Sequence, residues 1–210
     1  MSDAQLEPTE PSPDAAPARK RPKPGERRVQ ILEALATMLQ QPGSERITTA
    51  ALAAKLEVSE AALYRHFASK AQMFEGLIEF IEQSVFSLIN QIAERENTGT
   101  SQAAKTVAML LQFAEKNPGM TRVMVGDALV YENERLQQRM NLFFDKVEAA
   151  LRQSLKTAAE GDSSATPSAD AQVRASLLTA FIVGRLQRFA RSGFKRMPSE
   201  HLEACLARML

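Results

Sequence analysis

The residues whose chemistry is most informative lie between positions 48 and 70, where hydroxyl, imidazole and basic side chains recur at short spacing. Hydrogen-bond donors of this reach suit phosphate oxygens. Lys70 begins a predicted long helix, where free backbone N–H groups add to its attraction for an anion. The side chains that we expect to contact phosphate are those of Thr48, Thr49, Ser59, Tyr64, His66 and Lys70.

Two short helices joined by a tight turn must position these side chains. Thr48 or Thr49 can cap the first helix, and Ser59 can cap the second. In the second helix Leu63 and Phe67, four residues apart, are predicted to point into the core. A small and basic outer face then suits the DNA major groove. We expect four residues of this helix to lie nearest the base edges, namely Glu60, Ala61, Ala62 and Arg65.

Charge along the chain favours the same interpretation. The formal net charge is only +1, yet residues 19–70 carry ten basic against five acidic residues. The rest of the chain carries 16 basic against 20 acidic residues. This asymmetry indicates that one end of the molecule meets a polyanion.

The sequence lacks features that metal-binding, catalytic, membrane and secreted proteins usually carry. One cysteine, Cys205, and two histidines, His66 and His201, are too few for a convincing metal site or an internal disulfide. No Gly-rich phosphate loop or nucleophile with a base is evident, so we expect neither an enzyme nor a cofactor. No run of 18 apolar residues and no secretory signal occurs, which predicts a cytoplasmic protein.

Three segments are predicted along the chain. Residues 1–25 hold six of the ten prolines and end in basic residues, so we expect a disordered arm. Residues 26–75 form the helix-turn-helix domain, and residues 76–210 form a larger helical domain. Apolar residues recur at the helical period throughout, including a stripe on a helix from about Lys70 to Glu96 that contains Leu88. Further helices are expected at about 101–116, 128–159, 168–192 and 199–209. The fold is predicted to be all-α.

Reading a palindromic DNA site requires two recognition helices one helical turn of DNA apart, so the larger domain is expected to form a homodimer. A stripe near the end of the chain is the predicted interface, because its small residues would let a second helix approach closely. Its members are Val173, Leu177, Ala180, Phe181, Gly184, Leu202 and Leu206.

The segment VSEAALYRHFASK, at residues 58–70, resembles the DNA-binding region of TetR-type transcriptional regulators. More narrowly, LIEFIE, the NPG-x-TR stretch ending at Arg122, RLQQRMNLFF and RFARSGFK resemble the SlmA family of nucleoid occlusion factors. The resemblance spans about residues 27–195. It implies a TetR-like fold and dimers, or higher assemblies, on DNA sites scattered over the chromosome. It also implies that the DNA-bound protein contacts the division protein FtsZ and antagonises its polymers.

The resemblance also implies site residues and exposes two departures. Phe80, Lys116 and Asn117 correspond to an FtsZ-binding surface, and Leu88 stands where the family has a basic residue. Glu57 occupies the turn position where the general pattern has glycine, which tolerates a positive φ.

A second hypothesis is a ligand-responsive repressor of the TetR type. Such a protein would bind a small molecule among the helices of the larger domain and would require polar groups converging on an apolar pocket. The central helices carry mostly Leu, Met, Val and Phe at inward positions. This pattern favours a filled core.

Overall fold

The computed structural model describes residues 25–41, 47–161 and 165–210, and this part of the chain is helical without strands. The predicted arm, apart from Gly25, lies outside the described residues. The helices are α1 (Glu26–Leu39), α2 (Thr49–Lys55), α3 (Glu60–Tyr64), α4 (Lys70–Arg95), α5 (Gly99–Lys116), α6 (Pro118–Met124), a 3₁₀ turn (Asp127–Leu129), α7 (Glu134–Gly161), α8 (Pro167–Arg191) and α9 (Leu202–Met209). The all-α prediction is confirmed for these residues.

Helices α1 to α3 form the small N-terminal module, and side-chain caps define where α2 and α3 begin. The Thr48 side chain accepts a hydrogen bond from the Ala51 N–H at 3.1 Å, and the Ser59 side chain accepts one from the Ala62 N–H at 3.3 Å. Each cap satisfies a backbone donor that the first helical turn leaves without a partner. The apolar side chains buried inside the module include Ile31, Leu35, Leu52, Leu63 and Phe67.

Helix α4 belongs to both halves of the molecule. Its first turns, with Met73 and Phe74 buried, pack against α1 in the N-terminal module. The helix also packs against α5 and α7 in the larger domain. Leu88 was expected on the buried stripe, but its side chain is exposed. Val85 and Ile89 in the same part of α4 are buried, so Leu88 lies at the edge of the buried stripe and not within it.

The larger domain is built on antiparallel helices. Helix α7 packs along α5 and α8, and Val107, Leu110, Val147 and Leu178 are among the fully buried side chains. Phe143 lies between Phe86 and Phe144, with ring centroids 5.6 Å and 5.1 Å apart in edge-to-face geometry. Removing this apolar surface from water is the main force that holds the domain together.

Helix α6 joins the two halves at a very close backbone contact. Asn117-Pro118-Gly119 ends α5 and starts α6, with Pro118 at a position where its missing N–H is harmless. A Cβ atom on Gly119 would lie 1.9 Å from the carbonyl oxygen of Ala36 in α1. Only glycine therefore allows α6 to lie against α1 at this distance.

Two predicted helix starts are wrong. The helix expected from about residue 128 begins at Glu134, because Gly126 at φ 85° turns the chain and the Asn133 side chain accepts a hydrogen bond from the Arg135 N–H. The helix expected from about residue 199 begins at Leu202, because His201 has a left-handed backbone conformation with φ 57°. The first error merged an apolar turn with α7, and the second merged the polar residues 199–201 with α9.

Within the described ranges, no helix combines the length and the apolar character that crossing a membrane would require.

Candidate nucleic-acid interface

The capping residues of α2 and α3 keep hydrogen-bonding capacity for a ligand. The hydroxyl oxygens of Thr48 and Ser59 accept from backbone N–H groups, and both residues are exposed. A hydroxyl has one hydrogen to donate besides its acceptor sites. Each side chain can therefore cap its helix and donate to a phosphate oxygen at once.

The outer face of α3 and the turn after it carries Ala61, Tyr64, Arg65 and His66, all of them exposed. Tyr64 exposes 46% of its surface, whereas Leu63 and Phe67 each expose only 1%. The predicted inward and outward orientations of these residues are therefore confirmed. An aromatic ring and a guanidinium beside a small Ala61 form a surface that can enter the major groove.

Glu60 has a partner that the sequence did not suggest. The Thr49 hydroxyl donates to the Glu60 carboxylate at 2.5 Å, joining the first turns of α2 and α3. This bond fixes the crossing of the two helices. It also gives Thr49 and Glu60 a role in positioning the module, beside the DNA contact that we predict for them.

Lys70 forms an ion pair with Glu132, which lies 62 residues later between the 3₁₀ turn and α7. The Lys70 ammonium also lies 5.7 Å from the Phe74 ring, and the Glu132 side chain is largely buried. Lys70 stays about a quarter exposed. A phosphate at the start of α4 would share this lysine with a carboxylate of the larger domain.

Two further ion pairs hold α4 against α7. The Arg139 guanidinium donates to both oxygens of Glu82 at 3.2 Å and 2.6 Å, and Arg135 pairs with Glu75 at 2.5 Å. The hydrogen bonds to Glu82 raise the pKa of Arg139 above its ordinary value. A bidentate pair of this kind has a fixed geometry, so it restrains the angle between the two helices.

Arg28 was not among the residues predicted for the site. Its guanidinium donates to the His66 carbonyl at 2.8 Å and lies 4.0 Å from the centroid of the Phe67 ring. Arg28 thereby holds the end of α3 against the start of α1. The signal in the sequence was an arginine pair directly before the apolar stripe of the first helix.

Glu57 adopts the positive φ that its place in the turn implies, at 54°. The left-handed conformation costs a residue with a Cβ on the order of 1 kcal/mol relative to glycine. The Glu57 N–H is hydrogen-bonded to the Ala54 carbonyl, and the Val58 N–H to that of Ala53. These bonds hold the turn closed despite the strain.

A second surface lies on α4 and at the end of α5. Phe80 is 49% exposed, and the helical period places it about 120° around α4 from the buried stripe. The Gln102 side chain donates to the Ala93 carbonyl at 3.1 Å. Helices α4 and α5 run antiparallel from this contact. Phe80 therefore lies at about the same height along the pair as the last turn of α5, where Lys116 is exposed. The Asn117 amide donates to the Phe113 carbonyl at 2.8 Å and ends that helix.

A third surface is the outer face of α8. Val173, Leu177 and Ala180 are exposed, and Phe181 and Gly184 are partly exposed. A Cβ atom on Gly184 would meet nothing within 4 Å. Leu202 and Leu206 of α9 are half-buried against the core. An open apolar face of this kind is typical of a surface that a partner covers.

Family models match both halves of the chain. The model described as bacterial regulatory proteins of the TetR family matches residues 31–77. The model described as the tetracyclin repressor-like, C-terminal domain of SlmA-like proteins matches residues 99–209.

Solved structures share the fold at low sequence identity. The MbdR regulator from Azoarcus sp. CIB superposes with a TM-score of 0.71 at 16% identity, covering 87% of this chain and 96% of that one. FadR from Bacillus subtilis, solved in complex with stearoyl-CoA, superposes with a TM-score of 0.69 at 15% identity, covering 86% and 96%. These likenesses show the TetR-type fold.

Curated relatives are much more similar in sequence, and all three described here are named nucleoid occlusion factor SlmA. The relative from Idiomarina loihiensis is 49% identical over 178 residues, 85% of this chain and 90% of its own length. That from Shewanella sediminis is 50% identical, covering 84% and 89%, and that from Vibrio vulnificus is 48% identical, covering 86% and 92%. These are names of regulators and not of enzymes. The chain belongs to the SlmA family of nucleoid occlusion factors, a branch of the TetR-type helix-turn-helix regulators.

Proposed function

We propose that this chain binds sites scattered over the chromosome as a homodimer and, when bound to DNA, binds FtsZ and antagonises its assembly. Septum formation over the nucleoid would thereby be blocked. The protein would act in the cytoplasm, at the nucleoid. The observation that carries this proposal is the identity of about half of the aligned residues with SlmA proteins, in alignments that cover 84–85% of the chain.

The geometry of α2 and α3 supports the DNA-binding part of the proposal. Free hydroxyl hydrogens on Thr48 and Ser59, with Lys70 at the start of α4, suit three phosphate positions around one recognition helix. Arg65 is exposed at the C-cap of that helix and can reach base edges.

The surface formed by Phe80, Lys116 and Asn117 supports the FtsZ part. Phe80 is half exposed, and aromatic side chains are enriched at protein interfaces. Leu88, exposed two turns further along α4, extends this surface with apolar area. An apolar partner segment with acidic residues would complement it.

The ligand-responsive repressor gains little support from the core. The buried polar residues among those described are Thr106, Thr121 and Thr179. The Thr121 hydroxyl donates to the Ala114 carbonyl at 2.9 Å, so it serves the helix ends and not a ligand. A polar small molecule would require several such groups converging on one cavity.

Sedimentation of FtsZ polymers tests the proposal. We expect the protein with its DNA site to reduce the pelleted FtsZ, and Phe80→Ala to abolish most of this effect at unchanged DNA affinity. Leu142→Ala is the matched control, because Leu142 is also exposed but lies on α7. No effect of the unmutated protein on sedimentation would reject the FtsZ role, and equal loss in both variants would reject Phe80 as a contact.

Genome-wide mapping of binding sites separates the two functions. Many dispersed sites with little effect on neighbouring transcription are expected for occlusion. One or two promoters whose genes respond to loss of the protein would instead indicate a repressor.

A further inference from the structure

A cluster of four basic residues lies at the end of α8 and in the connection that follows it. It consists of Arg188, Arg191, Lys195 and Arg196, and is called here the α8 basic cluster. All four residues are exposed, and none has a side-chain hydrogen bond or ion pair to another described residue. Residues 185–200 hold five basic residues and one acidic residue, whereas the rest of residues 71–210 hold 11 basic and 15 acidic. The cluster is therefore a local positive region in a domain that is otherwise negative.

The cluster lies at the end of the larger domain that packs on the DNA-binding module. The connection after α8 contacts α6, where the Arg122 guanidinium lies 5.5 Å from the Phe194 ring. It also contacts the last turn of α5, where the Ser199 N–H donates to Glu115 at 2.8 Å. Helix α6 in turn packs against α1. The opposite end of the domain, around Lys105, is separated from the module by the length of α4.

The helical period places part of the cluster on the predicted dimer face. Arg188 follows Phe181 by seven residues and Gly184 by four, and Arg191 follows Gly184 by seven. At this spacing the two arginines lie on the same side of α8 as Phe181 and Gly184. If two copies pair through this face, the two clusters lie beside the two-fold axis at the DNA end. Eight like charges brought together repel one another unless a polyanion lies between them.

The helix dipole accounts for only half of the cluster. Cations in the last turn of a helix interact favourably with its negative end, which applies to Arg188 and Arg191. Lys195 and Arg196 lie beyond the helix, and their backbone N–H groups both donate to the Ser192 hydroxyl. That bonding turns the chain directly after α8, so Lys195 and Arg196 follow the end of the helix closely.

We infer that the α8 basic cluster is a second DNA-binding surface, which contacts the phosphates of the duplex between the two recognition helices. Guanidinium and ammonium groups without protein partners are suited to the phosphate backbone, and they read no sequence. The inference rests on DNA binding by the helix-turn-helix module. It adds a contact at the centre of the site, which the two modules themselves leave uncovered.

The salt dependence of DNA binding tests this surface. The variant Arg188→Gln/Arg191→Gln/Lys195→Gln/Arg196→Gln is titrated against a duplex bearing a site selected from random DNA, between 50 and 300 mM salt. We expect the slope of log K against log salt to fall by about 2 or more, which corresponds to at least one lost phosphate contact per protomer. Affinity at 150 mM salt is expected to fall about tenfold or more. Lys105→Gln/Arg152→Gln is the control, because it removes charge from the far end of the domain.

Neutral phosphates locate the contact along the duplex. Duplexes with methylphosphonate linkages between the two half-sites are compared with duplexes modified outside them. The unmutated protein is expected to bind the centrally modified duplex more weakly than the unmodified one. The quadruple variant is expected to bind these two duplexes equally. Lys195→Gln/Arg196→Gln, which leaves α8 untouched, is expected to show about half of the effect.

Several results would overturn the inference. They are an unchanged slope in the quadruple variant at unchanged dimer mass, an equal fall in the control, and sensitivity only to modifications outside the half-sites. Unchanged DNA binding with weaker antagonism of FtsZ would assign the cluster to a protein partner instead. Failure of the unmutated protein to bind any duplex would reject DNA binding itself, which is a different result from all of these.

Discussion

Around the recognition helix, some polar side chains already bond to other described residues of the protein, whereas others have no such partner. Thr49 and Glu60 are bonded to each other, and Lys70 is paired with Glu132. Arg65 is exposed and bonds to no other described residue. A guanidinium without a protein partner is available to read a base, so Arg65 is the residue on this helix best suited to specificity.

Substitutions on this face are expected to separate phosphate contacts from base contacts. Tyr64→Ala and Lys70→Ala should weaken binding to all duplexes about equally, because phosphates carry no sequence information. Arg65→Ala should cost about 1–3 kcal/mol on the preferred site and relax sequence preference at one position. Mobility-shift titrations at fixed salt measure these changes. Unchanged affinity in any variant removes that residue from the contact surface.

The turn residue Glu57 offers a test of backbone strain. Glu57→Gly is expected to raise the free energy of unfolding by about 0.5–1 kcal/mol, because glycine adopts φ 54° without a Cβ penalty. Glu57→Ala keeps the Cβ and should leave stability within about 0.5 kcal/mol. Urea unfolding of the dimer at fixed concentration measures both. A loss of stability common to both variants would show that the glutamate side chain stabilises the turn, and a larger loss in Glu57→Gly than in Glu57→Ala would contradict relief of backbone strain.

At the scale of elements, the starts and ends of helices were predictable where a capping residue or a Pro-Gly pair marks them. The long helix was predicted from Lys70 to about Glu96 and is found from Lys70 to Arg95, since Ser69 caps its start. The sequence misled where an apolar turn precedes a cap, as before Asn133. The contacts of Lys70 with Glu132 and of Gly119 with Ala36 were not predictable, because packing brings together positions far apart in the chain.

The contact between α1 and α6 is expected to control the position of the DNA-binding module. Gly119→Ala places a methyl group 1.9 Å from a backbone oxygen that cannot move alone, so the helices must separate at a cost of about 1–3 kcal/mol. Thermal unfolding measures the loss, and DNA affinity should fall as the module shifts on the larger domain. Gly76→Ala is the control, because its Cβ would meet only side-chain atoms, at 3.3 Å. Equal losses in the two variants would contradict a special role for Gly119.

At the scale of the whole molecule, contacts between helices fix the position of each candidate surface relative to the DNA-binding module. Helices α4 and α7 are tied together by two ion pairs, and α6 is in backbone contact with α1. If the dimer forms through α8 and α9, as we propose, the distance between its two recognition helices is set by how these helices pair across the two-fold axis. Affinity for a palindromic site depends on this pairing, because one bound module raises the effective concentration of the other.

The outer face of α8 is expected to form that dimer. Leu177 exposes 55% of its side chain in one protomer, and Leu177→Glu would place a carboxylate against its own copy across the axis. We expect analytical ultracentrifugation to give the mass of a monomer, and affinity for a palindromic duplex to fall by about two orders of magnitude. Leu142→Glu, at a position 57% exposed on α7, should remain dimeric. A dimer that survives Leu177→Glu would move the interface off this face of α8, and the two α8 basic clusters would then no longer meet over the centre of the DNA site.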